Sequence, residues 1–213
     1  MKNLLVHHTH NKESQAAVDH KAAIELLKEG NKRFTDKATI SRAFNEQINL
    51  TSSGQYPFAT IVSCIDSRIP TEIIFDQGIG DIFNARIAGN FVNDDILGSL
   101  EFACKLAGSK LIVIMGHTSC GAVKGACDHA ELGNLTGMLE KIKPALAKVE
   151  TAEGEDRSSK NISFVNKVAV ENVHLTIAKL KADSPVLNEM IEAGEIDVVG
   201  AMYDVASGTV SFL

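Results

Sequence analysis

The sequence predicts an α/β protein in which a mostly parallel central β-sheet is flanked by helices. Apolar runs rich in β-branched residues alternate with helical patterns, which is typical of a parallel sheet with helical crossovers. The chain has 213 residues, enough to bury a core without cross-links, and it contains no repeat or long linker. We therefore predict a single domain over residues 1–213. The predicted strands are residues 58–63, 81–88, 110–116 and 196–205, with 209–213 as an edge strand.

Helical patterns fill the intervals between these strands. The chain opens with an N-terminal segment and helical arm over residues 1–35, and we expect this arm to pack on a partner subunit. Within it, residues 14–34 have apolar residues at helical spacing, and Gly30 and Asn31 predict that the helix stops near them. Further helices are predicted over residues 94–108, 133–149 and 161–182, with residues 150–161 as a charged connector between the last two.

Composition excludes several classes of function. A formal charge of -6 and a pI near 5.6 argue against a nucleic-acid-binding surface, which needs a basic face. No segment is apolar for long enough to cross a membrane, and the first residues lack the apolar core of a secretory signal. We expect a cytoplasmic protein with a small-molecule substrate, whose four cysteines are ligands, nucleophiles or core residues rather than disulfides.

Chemically reactive side chains follow two of the predicted strands. Cys64, Asp66 and Arg68 come after the first strand, and His117 and Cys120 come after the third. Sites in parallel sheets form beyond the carboxyl ends of the strands, so both clusters should meet at one edge. The H-x-x-C spacing, completed by a distant cysteine, is a nitrogen and sulfur set suited to zinc. Three protein ligands leave one position open, as catalytic zinc sites do.

Asp66 has two opposed interpretations at such a site. It can ligate the metal, which would close the site and make the zinc structural in a binding module. It can instead accept a hydrogen bond from a metal-bound hydroxide, if Arg68 holds the carboxylate bidentately and away from the metal. Cys120 should begin a helix, whose positive end favours a thiolate there, and Gly121 should let a reacting group approach the backbone.

Other polar features have simpler interpretations. Cys104 and Cys127 are predicted to be small core residues. The histidines at positions 7–10 are predicted to be exposed, and the glycine-rich stretch 76–81 lacks the lysine of a phosphate loop, so it is predicted to form a turn.

C-x-D-x-R followed by H-x-x-C resembles the zinc motif of the β-class carbonic anhydrases. The resemblance covers most of residues 20–213 and includes "ELLKEGNKRF", "GQYPFATIVSCIDSRIPTEIIFDQGIGDIFNARIAGN", "GSLEFACKLAGSKLIVIMGHTSCGAVKGA" and "VVGAMYDVASGTVSFL". It implies that Cys64, His117 and Cys120 are the ligands of one Zn²⁺ per subunit. It also implies that Asp66 and Arg68 form a catalytic dyad.

The same resemblance implies substrate-binding residues. Gln55, Phe83 and Phe102 match positions that line the substrate pocket in the plant-like subgroup, although Phe102 stands where that subgroup often has a tyrosine. Gly121 matches the glycine whose N–H orients bicarbonate. Ile61 replaces the tryptophan of the bicarbonate site in the allosteric subgroup, although Arg86 resembles another member of that site. The chain has no tryptophan, so the plant-like subgroup is the better match.

The activity implied by the resemblance is reversible hydration of carbon dioxide to bicarbonate and a proton by zinc-bound hydroxide. The resemblance also implies a homodimer or homotetramer with pockets at the subunit interface. The alternative is a carbonyl sulfide or carbon disulfide hydrolase that uses the same zinc site.

Overall fold

The computed structural model describes Val6 and residues 9–213 of the chain. Its centre is a five-stranded sheet in the order β2-β1-β3-β4-β5. The first four strands in this order are parallel, and β5 runs antiparallel to β4 at the edge. The predicted α/β class with a mostly parallel sheet is confirmed. The strands are β1 (Ala59–Ser63), β2 (Ile82–Arg86), β3 (Leu111–His117), β4 (Asp197–Tyr203) and β5 (Val210–Phe212).

Helices surround the sheet because its central strands are apolar on both faces. Every residue of β1 and β3 is buried, so both faces of the sheet need a cover. The helices are α1 (Lys12–Ala17), α2 (His20–Thr35), α3 (Phe44–Thr51), α4 (Thr71–Ile74), α5 (Asp94–Glu101), α6 (Gly121–Cys127), α7 (Gly133–Leu139), α8 (Lys143–Lys148), α9 (Ile162–Asp183) and α10 (Pro185–Glu192). The long helix α9 follows the predicted range 161–182 closely.

The strand order places a crevice between β1 and β3. The chain leaves β1 towards β2 on one side and leaves β3 towards β4 on the other. Adjacent parallel strands whose connections diverge in this way open a crevice beyond their carboxyl ends, where ligands bind in open α/β sheets. Cys64 directly follows β1, and His117 is the last residue of β3. The topology therefore brings the two predicted clusters to one crevice.

The predicted end of the N-terminal helix near Gly30 is wrong. The helix starts later, at His20 with Asp19 as its N-cap, and continues to Thr35. Gly30 is needed for packing, since a Cβ there would lie 1.8 Å from the carbonyl oxygen of Phe75. Asn31 is buried and donates from Nδ2 to the carbonyl oxygens of Ile74 and Gly208. Gly30 and Asn31 are residue types that favour helix ends, but here both contact distant parts of the chain from within the helix.

Two other predicted helices are interrupted. The segment 94–108 consists of α5 followed by a π-helical turn over Phe102–Leu106. The segment 133–149 divides into α7 and α8, and Pro144 is in the first turn of α8, where a missing N–H costs no hydrogen bond. Residues 150–161 connect α8 and α9 without a helix or strand, as predicted.

Two sequence features concern the surface and the N-terminus. None of the helices in the described part of the chain is both long and apolar enough to cross a membrane. Of the histidines at positions 7–10, His7 and His8 lie outside the described residues. The ring of His10 packs edge-on against Phe58 at a centroid distance of 5.4 Å, so this histidine is part of a contact rather than fully exposed.

Candidate metal centre

The structure brings Cys64, His117 and Cys120 together at the crevice. One ligand atom from each residue lies within 4.8 Å of the other two, and all three residues are buried. The three arrive from separate elements: Cys64 from the end of β1, His117 from the end of β3, and Cys120 from the residue before α6. Their convergence is a consequence of the parallel pairing of β1 with β3.

The ring of His117 is oriented for metal binding. Its Nδ1 lies 3.0 Å from the carbonyl oxygen of Thr118, an arrangement that makes Nδ1 the donor and leaves a lone pair on Nε2. That Nε2 is buried and has no hydrogen-bond partner among the described residues. A buried acceptor without a partner is costly, and its position beside two thiols fits a zinc ligand. The residues present therefore fit the group that the sequence motif implies.

Cys64 lies in a loop that is fixed by hydrogen bonds from Gly89 and from the side chain of Arg86. The N–H of Gly89 donates to Cys64 Sγ at 3.4 Å. The guanidinium of Arg86 donates to the carbonyl oxygens of Cys64, at 2.9 Å, and Asp66, at 2.6 Å. Arg86 thus holds the loop that carries the first predicted ligand.

The two thiols form a coupled pair. Cys120 precedes α6, as predicted, and the N–H groups of Val123 and Ala122 lower its pKa. The hydrogen bond with Cys64, followed by burial, outweighs them and raises the pKa of Cys120. The same bond lowers the pKa of Cys64 to about 4. The two sulfurs therefore share one proton, which a metal held between them would displace.

Asp66 is paired with Arg68 rather than included in the ligand group. Arg68 donates from Nε to Asp66 Oδ1 at 2.9 Å and from Nη2 to Oδ2 at 2.7 Å, and its backbone N–H adds a bond of 3.0 Å to Oδ1. The guanidinium holds the pKa of the Asp66 carboxyl well below its usual range. Oδ2 lies 3.9 Å from His117 Nε2. The carboxylate therefore borders the ligand triad while each of its oxygens accepts a hydrogen bond from the Arg68 guanidinium.

Gly121 offers open space beside the metal centre. It is the first residue of α6 and is exposed. Apart from its chain neighbours and the adjoining backbone of α6, a Cβ built on it would meet no atom of the described chain within 4 Å. The backbone at Gly121 is therefore accessible to a small molecule next to Cys120.

Gln55, Phe83 and Phe102 are not adjacent to the metal centre of their own chain. Gln55 is exposed in the loop before β1, whereas Cys64 follows β1, and a five-residue strand spans about 16 Å. Phe83 pairs with Thr60 near the start of β1. Its ring packs edge-on against Phe102 at a centroid distance of 6.3 Å, and both line a surface cavity of about 500 Å³. The structure joins the two phenylalanines to each other but not to the zinc ligands.

Sequence reasoning missed the residues that support the ligands. Gly89 and Thr118 contact Cys64 and His117 directly through backbone atoms. Gly89 follows β2 at the same edge of the sheet, so the rule that sites form at strand ends could have identified it. Asn166 and Asn172 lie inside a long helical pattern, where nothing in the sequence sets them apart.

The fold and the site define an α/β protein with a soft metal-ligand triad and an arginine-held carboxylate at the carboxyl edge of its sheet. The chain belongs to the β-class carbonic anhydrase family of enzymes: residues 59–210 match the family model described as carbonic anhydrase. Carbonic anhydrase 2 of Mycobacterium tuberculosis is 37% identical over 194 residues, which cover 88% of this chain and 89% of the relative. The carbonic anhydrase of Mycolicibacterium smegmatis is 35% identical over 196 residues, with coverages of 89% and 91%.

Solved structures agree with this assignment. The β-carbonic anhydrase CafA of Aspergillus fumigatus superposes with a TM-score of 0.67 at 29% identity, covering 91% of this chain and 89% of that one. A tetrameric β-carbonic anhydrase of Sordaria macrospora has a TM-score of 0.67 at 24% identity and shows the shared fold, with coverages of 79% and 90%.

Proposed function

We propose that this chain catalyses the reversible hydration of carbon dioxide to bicarbonate and a proton at a zinc ion held by Cys64, His117 and Cys120. One observation carries the proposal: Asp66 Oδ2 lies 3.9 Å from His117 Nε2 while Arg68 binds both oxygens of the carboxylate. That pairing supports an open metal position over a closed structural site, because a bidentate guanidinium competes with the metal for the carboxylate lone pairs.

Each group then has a defined part in the reaction. Zinc, when bound, supplies the acidity that gives a hydroxide nucleophile near neutral pH. Asp66 accepts the hydrogen bond of that nucleophile at Oδ2, which directs an oxygen lone pair towards the carbon of the substrate. Arg68 keeps Asp66 ionised and fixed. Gly121 is the first residue of α6, so its N–H has no acceptor within the helix and is suited to orient a bicarbonate oxygen.

A second copy of the chain completes the substrate pocket in this proposal. Gln55, Phe83 and Phe102 lie towards the opposite end of β1 from Cys64, so a partner subunit must supply them. Phe102 is 51% exposed, which fits a side chain that is covered on assembly. A homodimer or homotetramer follows, and the related Sordaria macrospora enzyme is named as tetrameric.

The remaining assignments belong to the same proposal. A single domain is supported by the one sheet and one buried apolar cluster that Val6 and residues 9–213 form. The plant-like subgroup is supported by Gln55 and by a buried Ile61 where the allosteric subgroup has tryptophan. Arg86 is engaged with the loop carbonyls of Cys64 and Asp66.

All four cysteines are free, which fits a reducing cytoplasm. Packing of the N-terminal arm on a partner stays a prediction.

Stopped-flow hydration of carbon dioxide by zinc-loaded protein tests the proposal. Asp66→Asn should reduce the rate at least about 100-fold, since positioned acid–base groups contribute factors of this size. Near-wild-type hydration by this variant contradicts the role of Asp66. Carbonyl sulfide should be offered to the same sample, because faster hydrolysis of that substrate than hydration would favour the hydrolase alternative.

A further inference from the structure

Two asparagines of α9 contact the two loops that carry the thiol ligands. Asn172 donates from Nδ2 to the carbonyl oxygen of Gly89 at 2.8 Å. Asn166 accepts at Oδ1 from the N–H of Ser119 at 2.9 Å. The chemistry of each partner fixes the amide orientation, because a carbonyl only accepts and an N–H only donates. One helix therefore contacts both loops through asparagine side chains: Asn172 uses its amide nitrogen as a donor, and Asn166 uses its amide oxygen as an acceptor.

A single residue, Gly89, links Asn172 to the first thiol. Gly89, whose carbonyl receives the Asn172 amide, donates its own N–H to Cys64 Sγ at 3.4 Å. Gly89 has φ +80 and no room for a side chain, since a Cβ would lie 2.5 Å from Cδ1 of Ile142. The backbone of Gly89 is thus confined by its packing against Ile142 and by its hydrogen bond from Asn172.

Asn166 is linked to the second thiol through the residue that precedes it. Ser119, whose N–H it accepts, immediately precedes Cys120 and has φ 55. A left-handed backbone is unfavourable for a residue with a side chain, so the turn needs a contact that holds it. The bond from Ser119 to Asn166 supplies this contact at the residue before the ligand.

The burial of Asn172 indicates that its amide has a specific hydrogen-bonding role. It is 3% exposed and lies on α9 beside Val173 and near Val168, both fully buried. An amide in such surroundings is unfavourable unless it is hydrogen-bonded. An apolar residue could fill this buried position if packing were its only requirement. The amide of Asn172 is therefore explained by its hydrogen bond to the carbonyl oxygen of Gly89.

We propose that Asn166 and Asn172 are positioning residues that set the separation of Cys64 and Cys120 for metal binding. The proposal rests on the zinc site of the proposed function. Two thiolates that share a tetrahedral zinc at about 2.3 Å each must lie about 4 Å apart. A helix that fixes both loops holds this separation before the metal arrives.

Replacement by aspartate should have different effects on zinc affinity at the two positions. Asn166→Asp keeps an acceptor for Ser119 N–H, so zinc affinity should stay within about threefold of wild type. Asn172→Asp removes the donor and places an oxygen against the Gly89 carbonyl. It should weaken zinc binding about 10- to 100-fold, the usual range for groups that orient metal ligands. Asn166→Leu and Asn172→Leu, which remove each bond, should both weaken binding by that range.

Zinc affinity should be measured by competition with a chromophoric chelator on full-length protein, together with the thiolate-to-cobalt absorption of the cobalt-substituted form. Thr176→Val is the matched control, because Thr176 is a buried polar residue one turn further along α9. It should leave affinity and spectrum unchanged. Denaturant unfolding of each metal-free variant shows whether the variant is folded.

The outcomes separate this proposal from the proposed function. Wild-type protein that binds no zinc contradicts the metal site itself. Wild-type zinc affinity in Asn172→Leu and Asn166→Leu overturns the positioning role while leaving the site intact. Equal losses for Asn166→Asp and Asn172→Asp also overturn it, because the donor and acceptor assignments then have no effect. If a leucine variant does not fold, the comparison of the two aspartate variants decides.

Discussion

Replacing Arg68 with glutamine separates the positioning of Asp66 from the stability of the fold. Three bonds hold the Asp66 carboxylate: two from the guanidinium, at 2.9 and 2.7 Å, and one from the Arg68 backbone N–H at 3.0 Å. The substitution removes the first two and leaves the third. The carboxylate is then free to turn towards the ligand triad, whose His117 Nε2 lies 3.9 Å from Asp66 Oδ2.

The expected magnitudes differ sharply between stability and activity. The Arg68 side chain is 50% exposed, so the pair should contribute only about 0–1 kcal/mol to the free energy of unfolding. Hydration of carbon dioxide should fall at least about 100-fold, because the acceptor of the nucleophile's proton loses its position. Arg68→Lys is the control: it keeps the charge but cannot bind both oxygens in the same plane, and it should give an intermediate rate.

The pH dependence of stability gives an independent check. Arg68 lowers the pKa of Asp66 in the folded state, so the pair stabilises the protein above the ordinary carboxyl pKa of about 3.9, and this contribution is lost as pH falls through the lower folded value. The difference in unfolding free energy between wild type and Arg68→Gln should therefore shrink at acid pH. Because Asp66 stays ionised at neutral pH in both proteins, protonation cannot explain a lower rate there.

Stopped-flow hydration with a pH indicator, metal analysis and urea unfolding supply the three measurements. Two results would refute the reasoning. One is an Arg68→Gln enzyme with near-wild-type hydration and full zinc content. The other is a loss of several kcal/mol in unfolding free energy, which would make the lower activity a folding defect.

Three further predictions follow from packing, linkage and burial. Gly30→Ala should lower the free energy of unfolding by about 1–3 kcal/mol in urea titrations, because its Cβ would lie 1.8 Å from Phe75 O; stabilisation, the usual result of glycine to alanine in a helix, would contradict this. Chelation of zinc should lower the free energy of unfolding by about 2.7 kcal/mol relative to zinc at 100 times its dissociation constant. The urea midpoint should fall with it, and an unchanged midpoint would argue against the site. Burial raises the pKa of Cys104 to about 12 and that of Cys127 to about 11, so both should remain neutral thiols at pH 7 and resist iodoacetamide until the protein unfolds. Rapid labelling of native protein, detected by mass spectrometry, would show that they are accessible.

The strands and the ligand triad could be predicted because their signals are local. Continuous β-branched runs identify buried parallel strands, and a cysteine or histidine directly after such a run must lie at the edge of the sheet. The position of Cys120 before a helix could likewise be read from the glycine and small residues that follow it. The direction of its pKa shift could not, because that depends on Cys64, which is distant in sequence.

Gly30 and Asn31 show where local reasoning fails. Both residue types favour helix ends, yet α2 continues through them because Phe75, Ile74 and Gly208 contact that face of the helix. The relevant partners are far along the chain, so no pattern within the helix can reveal them.

The sequence by itself determined the fold class, the three metal-ligand candidates and the chemical types of Asp66 and Arg68. Only the tertiary structure decided that the Asp66 carboxylate pairs with Arg68, that α9 supports both thiol loops, and that Gln55, Phe83 and Phe102 lie away from the metal centre of their own chain. The physical reason is the distance along the chain over which each kind of interaction acts. Strand and helix propensities act between neighbouring residues, whereas hydrogen bonds to a particular carbonyl or carboxylate depend on a three-dimensional arrangement that many distant residues set together.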